Sequence, residues 1–140
     1  MSIHMLEDIK VNIKVKLTAL WTAFMFLYIY VDYFHLYMPG SIGDISAGKM
    51  FVFDITQGVL LAGLASVTIP ALMIFLSVAL TAKVNRWTNI IVGTVYIPYT
   101  LFNLAGEAWM HMVFGAVVEV VLLSLIIRYA WKWPRHGSEP

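Results

Sequence analysis

Cysteine is absent from this sequence and charge is scarce, and each shortage removes a class of function. Without a thiol there is no disulfide, no thiolate nucleophile, no zinc-thiolate centre and no cysteine-held iron–sulfur cluster. Charged residues make up 12% of the 140 positions, and the nine Lys and Arg sit at the edges of apolar segments instead of forming a stripe. A nucleic-acid-binding surface is thereby excluded. What fills the chain is hydrocarbon, with 61% of its residues hydrophobic. A soluble fold of this length has too little interior to hide so much apolar surface. The composition predicts an all-α integral membrane four-helix bundle that uses residues 1–140 as a single transmembrane domain, with the lipid bilayer as its first partner.

The spans follow from the apolar runs. The first covers about residues 15–37 and is interrupted only by Asp32 and His35. At roughly 23 residues it is ~34 Å long, enough to cross with some tilt. It is too long for a signal-peptide core, follows acidic residues and lacks a small-x-small cleavage site, so it is expected to remain as an anchor. The second covers about 56–80, with a kink expected at Pro70; the third about 87–106, with Pro98 inside; the fourth about 109–131, stopped by Pro134. Upstream, Ile9, Val11, Ile13, Val15 and Leu17 alternate with polar residues in a strand-like period. A lone strand at a membrane surface leaves its backbone unpaired, whereas Leu6, Ile9, Ile13 and Leu17 form a helical stripe, so a helix is expected there.

Positive charge sets the orientation, because Lys and Arg are retained on the cytoplasmic side. Lys10, Lys14 and Lys16 precede the first span, Lys83 and Arg86 separate the second from the third, and Arg128, Lys132 and Arg135 end the fourth. Both termini are therefore expected in the cytoplasm of a cell inner (plasma) membrane protein. Only Lys49 falls in the loop of residues 38–53, which is expected to face outward as a lid or a connector. Trp87, Trp109, Trp131 and Trp133 stand where interfacial anchors belong.

One motif in that loop is a near miss. Gly43, Gly48 and Lys49 match most of a phosphate-binding P-loop, but Met50 stands where Ser or Thr would reach magnesium, and no strand precedes it. The match is rejected.

Polar side chains within the spans are more informative, since an ionisable group in hydrocarbon costs at least about 2.5 kcal/mol. Trp21, Met25, Tyr28, Asp32 and His35 share one face of the first helix by their spacings of three and four. Gly93, Tyr96, Thr100, Asn103 and Glu107 do so on the third, and His111, Gly115 and Glu119 on the fourth. With alternate helices reversed, Asp32, His35, Gln57, Asn103, Glu107 and His111 all fall in the outer half. Glu119 lies ~12 Å deeper than His111 at 1.5 Å per residue. Tyr28, Asp32, His35, Gln57, Tyr96, Asn103, Glu107, His111 and Glu119 are accordingly expected to line an outward-opening polar pocket with a carboxyl at its floor.

Plainer roles compete for each of these residues. Glu107 and His111 flank a tight turn and could be solvated, and Asp32 could hydrogen-bond Tyr28 or Asn103 as glue between helices. Most of the Tyr, Trp and Met residues are packing material. Gly58, Ala62 and Ser66 form a small-residue face suited to close helix contact, within the bundle or between protomers of a homo-oligomer. Asp32 with His35, and Glu107 with His111, offer O and N donors at spacings that suit zinc or non-haem iron, but no diagnostic ligand motif supports a metal. Haem held by His35 and His111 has still less to recommend it, and no cofactor is assigned.

The segments LTALWTAFMFLYIYVDYF, KVNRWTNII and RYAWKWP, in their order along the chain, resemble a prokaryotic family of four-span membrane proteins of about this length, described as a domain of unknown function. The resemblance covers nearly the whole chain and implies the four-helix architecture and an inner-membrane location; it carries over no substrate, cofactor or site residue. A looser likeness to DoxX-like proteins rests on size and topology alone. Three functions remain open: a binder of a small lipophilic or amphipathic molecule through Tyr28, Asp32, Asn103 and Glu119, a proton-coupled transporter using Glu119, and an enzyme acting on a lipid or isoprenoid.

Overall fold

The computed structural model describes residues 4–106 and 108–135. Its elements run α1 (Ile13–His35), α2 (Ser41–Ser46), β1 (Lys49–Met50), β2 (Phe53–Asp54), α3 (Gln57–Ala79), α4 (Ala82–Phe102) and α5 (Met110–Trp131). The chain is mostly helical, and α1, α3 and α5 are each long and apolar enough to cross a membrane. At 21 residues α4 is long enough as well, but Asn85, Asn89 and Thr100 on its buried stripe dilute its apolar character.

Cross-helix contacts give the directions. Thr18 Oγ1 donates to the Ile74 carbonyl at 3.1 Å, joining the start of α1 to the end of α3. The Lys16 ammonium lies 5.2 Å from the centre of the Tyr129 ring, joining the start of α1 to the end of α5. Trp21 on α1 bonds Asn89 on α4, each in the second or third turn of its helix. So α1 and α4 run one way and α3 and α5 the other. The termini end of the molecule carries residues 4–12 and the exit of α5. The loop end carries α2 and the hairpin β1–β2, in which Lys49 pairs with Asp54.

The core lies between the four long helices: Leu17, Trp21, Phe24 and Tyr28 of α1, Met73 of α3, Tyr96 of α4, and Leu123 and Ile126 of α5. Outside it the surface is unusually apolar, with Phe26, Leu61, Leu64, Phe75 and Phe114 each more than half exposed. At Gly115 the backbone of α5 approaches α1 closely: a Cβ there would meet Val31 Cγ2 at 2.5 Å. Gly93 gives α4 a similar seat on Ile126 and Ile127 of α5. The expected small-residue face of α3 plays a lesser part: Gly58 and Ala62 are exposed, and only Ser66 is engaged across the interface with α4.

Two boundaries differ from the sequence expectation. Residues 4–12 form neither helix nor strand, because Asn12 adopts an extended backbone and its Oδ1 accepts from the Lys14 amide at 2.8 Å, starting α1 at Ile13. The helix expected from about residue 87 begins at Ala82, taking Lys83 and Arg86 with it, and ends at Phe102. Arg86 is accommodated by a distant partner. Its Nε donates to the Ala130 carbonyl at 3.1 Å and its Nη2 to the Trp131 carbonyl at 3.3 Å, while Trp87 and Trp131 flank the guanidinium at 4.9 and 5.3 Å. One side chain thus caps the last carbonyls of α5 and stacks on both indoles.

Candidate functional site

The earlier start of α4 extends its polar stripe to Asn85, Asn89, Gly93, Tyr96 and Thr100, all buried. Toward the termini end this stripe forms a closed network. Trp21 Nε1 donates to Asn89 Oδ1 at 2.7 Å, and Ser77 Oγ donates to the same oxygen at 3.3 Å. Asn89 Nδ2 donates to Asn85 Oδ1 at 2.7 Å and to the Asn85 carbonyl at 2.9 Å. Asn85 Nδ2 donates to the carbonyls of Ser77 at 2.7 Å and Leu80 at 3.3 Å. Trp21, Ser77, Asn85 and Asn89 are all fully buried, and each of their side-chain polar atoms has a partner. Sequence reasoning missed this network by treating residues 81–86 as a loop. The signal was available in the same spacing of three and four, read back from Gly93 to Asn89 and Asn85.

Toward the loop end the polar groups are left open. Asn103 Nδ2 donates to Tyr28 Oη at 3.2 Å, tying the end of α4 to α1. Asp32, one turn beyond Tyr28, lies within electrostatic reach of both Tyr28 and Glu119. Asp32 and Asn103 are exposed, whereas Glu119 is buried at 4% exposure. The register that seats Gly93 against Ile126 and Ile127 brings Thr100, seven residues on, to about the level of Glu119 and Val120, seven residues back. Thr100 Oγ1 is buried with no hydrogen-bond partner among the described residues, and Glu119 makes no side-chain hydrogen bond among them. The buried Thr100 hydroxyl is therefore unpaired, which is unusual in a folded interior, and the carboxyl of Glu119, at a similar level, takes no hydrogen bond from the described residues.

Nearer the surface, His35 and His111 lie within electrostatic reach of each other across the α1/α5 seam. His35 Nδ1 and His111 Nε2 are buried and unpaired among the described residues. The Phe51 ring, at the tip of the β1–β2 hairpin, sits 4.7 Å from the His35 ring and covers it. Phe51 holds φ +56°, a left-handed value that a bulky residue rarely adopts and that this two-residue turn imposes.

Three other expected site residues stand differently. Tyr96 is engaged in support of the fold: Pro70 cannot donate to the carbonyl of Ser66 four residues earlier, and Tyr96 Oη donates to that carbonyl instead. Tyr99 Oη and Ser66 Oγ share a further bond of 2.8 Å beside it. Gln57 is exposed in the first turn of α3 and makes no side-chain hydrogen bond among the described residues. Glu107 lies outside the described residues. Among the described residues no three or more His, Asp or Glu side chains are grouped to hold a metal.

Two open surface cavities stand apart from these groups, and neither is lined by them. One, of about 220 Å³, lies on the outward face of α1 between Phe26, Ile29, Tyr30 and Tyr33. The other, of about 500 Å³, lies at the termini end between the head of α1 and the exit of α5. The loop-end polar groups thus lie among α1, α4 and α5 outside both cavities, with Asp32 and Asn103 exposed and Thr100 and Glu119 buried.

The matching family model, which covers residues 4–138, is that of a family of unknown function, DUF6326, and the chain belongs to it. No curated protein and no solved structure matches the chain.

Proposed function

We propose that this member of the family is a multi-pass inner-membrane protein whose four long helices cross the bilayer with both termini cytoplasmic, and whose loop end binds a small lipophilic or amphipathic molecule from the outer side. The apolar exterior supports the first half of this reading, since surfaces like those of Phe26, Leu64 and Phe75 belong against hydrocarbon. As a fourth span, α4 is ~31 Å long. Its buried polar stripe is turned inward, and Ile91, Val95, Leu101 and Phe102 are among the residues it exposes, with Thr94 and, at its start, Lys83. Eight Lys and Arg residues gather toward the termini end, while Lys49 at the loop end is tied to Asp54.

One observation carries the binding reading: Glu119 is buried without a hydrogen-bond partner among the described residues, level with the unpaired Thr100 hydroxyl and close to exposed Asp32. A polar ligand group reaching past Asp32 and Asn103 would satisfy both, while its apolar part stayed among the lipid-facing side chains. A proton-coupled transporter needs a second exit toward the cytoplasm. On that side the Trp21, Ser77, Asn85 and Asn89 network fills the interior with completed bonds, which favours a one-sided binder.

Co-purified material tests this reading. Mass spectrometry of the gently solubilised protein is expected to find an amphipathic molecule bound near one per chain. Glu119→Leu should reduce its retention about tenfold or more, the usual worth of a hydrogen bond to a charged or strongly polar group. Glu119→Gln keeps shape and bonding capacity and should retain most of it. A transporter would instead lose pH-dependent flux in Glu119→Gln, and an enzyme would keep its ligand but lose turnover. Equal retention by wild type and Glu119→Leu would refute the site.

A further inference from the structure

The 500 Å³ cavity at the termini end has no part in the loop-end site, and its chemistry is of another kind. It is lined by Lys10, Val11, Asn12, Ile13, Lys16 and, from the other side, Tyr129, Lys132, Trp133 and Pro134. Three lysines line it, and no carboxylate among the described residues does. None of the three has an ion-pair partner among the described residues. The nearest acidic residues in sequence, Glu7 and Asp8, are exposed and outside the lining.

Like charges brought together around one space repel unless an anion shares it. The head of α1 adds to this field, since Val11, Asn12 and Ile13 bring the positive end of a 23-residue helix dipole to the cavity wall. The remaining walls are not those of a site for a free inorganic ion. Tyr129 and Trp133 are half-buried aromatic side chains of the kind that mark a membrane interface, and Val11, Ile13 and Pro134 give the cavity an apolar side. Lysine heads beside an apolar wall match a molecule that is anionic at one end and hydrocarbon at the other.

We infer that this cavity is a site for the phosphate headgroup of an anionic membrane lipid. The inference rests on the reading that the long helices span a bilayer, because only then does the cavity lie at headgroup level on the cytoplasmic face. It is independent of the loop-end site.

The test uses the full chain in detergent micelles, titrated separately with short-chain phosphatidylglycerol, phosphatidylcholine and inorganic phosphate, with bound species read by native mass spectrometry. One phosphatidylglycerol per chain is expected to bind at least tenfold more tightly than phosphatidylcholine. Removing each lysine should weaken binding about fivefold, so that Lys10→Gln, Lys16→Gln and Lys132→Gln together lose about a hundredfold. The comparison variant combines Lys14→Gln, Lys83→Gln and Arg128→Gln, which removes the same charge from the same end without touching the lining. It should lose fivefold or less.

Equal losses in the two triple variants would overturn the site in favour of a diffuse positive field, and so would equal binding of the two lipids. Inorganic phosphate that competes at millimolar concentration would overturn the lipid assignment. Thermal unfolding without lipid, expected to be alike in all variants, guards against misfolding, and the three single variants carry the test if a triple variant fails it. Failure of the spanning reading shows separately, as a chain that alkaline carbonate strips from membranes.

Discussion

Trp21, Ser77, Asn85 and Asn89 at one end of the molecule, and Tyr28, Asp32, Thr100 and Glu119 at the other, share the stripes of α1 and α4, with α3 adding Ser77 to the first set and α5 adding Glu119 to the second. They differ in what they do with their polar atoms. Toward the termini end every amide, indole and hydroxyl is matched by another protein atom, with bonds of 2.7 to 3.3 Å. Toward the loop end the Thr100 hydroxyl and one nitrogen each of His35 and His111 are buried without partners among the described residues. A polar group that the protein completes by itself acts as glue, and one that it leaves open is available to something else. Burial and polarity alone would have ranked the two clusters together; hydrogen-bond closure separates them.

The comparison breaks most visibly at Asn89. Replacing it by Leu removes the acceptor of the Trp21 indole and of Ser77 Oγ, and the donor to Asn85 Oδ1. Three buried polar groups lose partners, and a loss of about 3 kcal/mol is expected, at the upper end for groups that can find substitutes within the proposed membrane bundle. Reversible unfolding in mixed micelles measures it. A cost below ~0.5 kcal/mol would mean that the network is ornamental and that closure does not distinguish the two ends.

Gly115 holds the loop-end cluster together by backbone contact instead. A Cβ there would overlap Val31 Cγ2, so Gly115→Val must push α1 from α5 at the level between the histidine pair and Glu119. Overpacking of this kind costs about 2 kcal/mol. The separation should show in a spin-label distance between Tyr30→Cys and Val117→Cys, both exposed and outside the Val31 contact, that lengthens in Gly115→Val, in a chain that has no native cysteine to interfere. An unchanged distance would mean that α1 and α5 slide instead of parting.

How much of this was legible beforehand depended on the range of the interaction. The three polar stripes could be read because helix spacing is local, and alternating helix directions then placed Asp32, Tyr28, Asn103 and Glu119 in one neighbourhood. Asn85 and Asn89 were lost because Lys83 and Arg86 read as a loop. What makes Arg86 acceptable in a helix is the end of α5, 44 residues away, whose carbonyls it caps. Tyr96 reads as a ligand contact from sequence because nothing near it tells that Pro70 frees a carbonyl on the facing helix, to which its hydroxyl donates. Leu6, Ile9, Ile13 and Leu17 make a passable helical stripe, and one Asn side chain bonding two residues ahead outweighs it upstream of Ile13. Side chains that compensate for a distant backbone defect look like chemistry until the partner is in place.

The finest test of the comparison is the smallest in energy. Thr100→Val keeps the shape of the side chain and removes a hydroxyl that has no partner among the described residues. At a closed position such as Asn89, losing a polar group costs stability; at an open one, the desolvation of an unpaired group is relieved. Thr100→Val is therefore expected to leave the ligand-free protein unchanged or more stable, by up to about 1 kcal/mol. Retention of the co-purified molecule should fall several-fold in the same variant, since the hydroxyl stands level with Glu119 at the floor of the proposed site. A gain in stability paired with a loss of binding is what a residue kept for function shows. A loss above ~1 kcal/mol in the ligand-free state would reveal a partner for the hydroxyl and place Thr100 with the glue. Glu119 would then be the one open group at that depth, and the site would shrink to a single carboxyl beside Asp32.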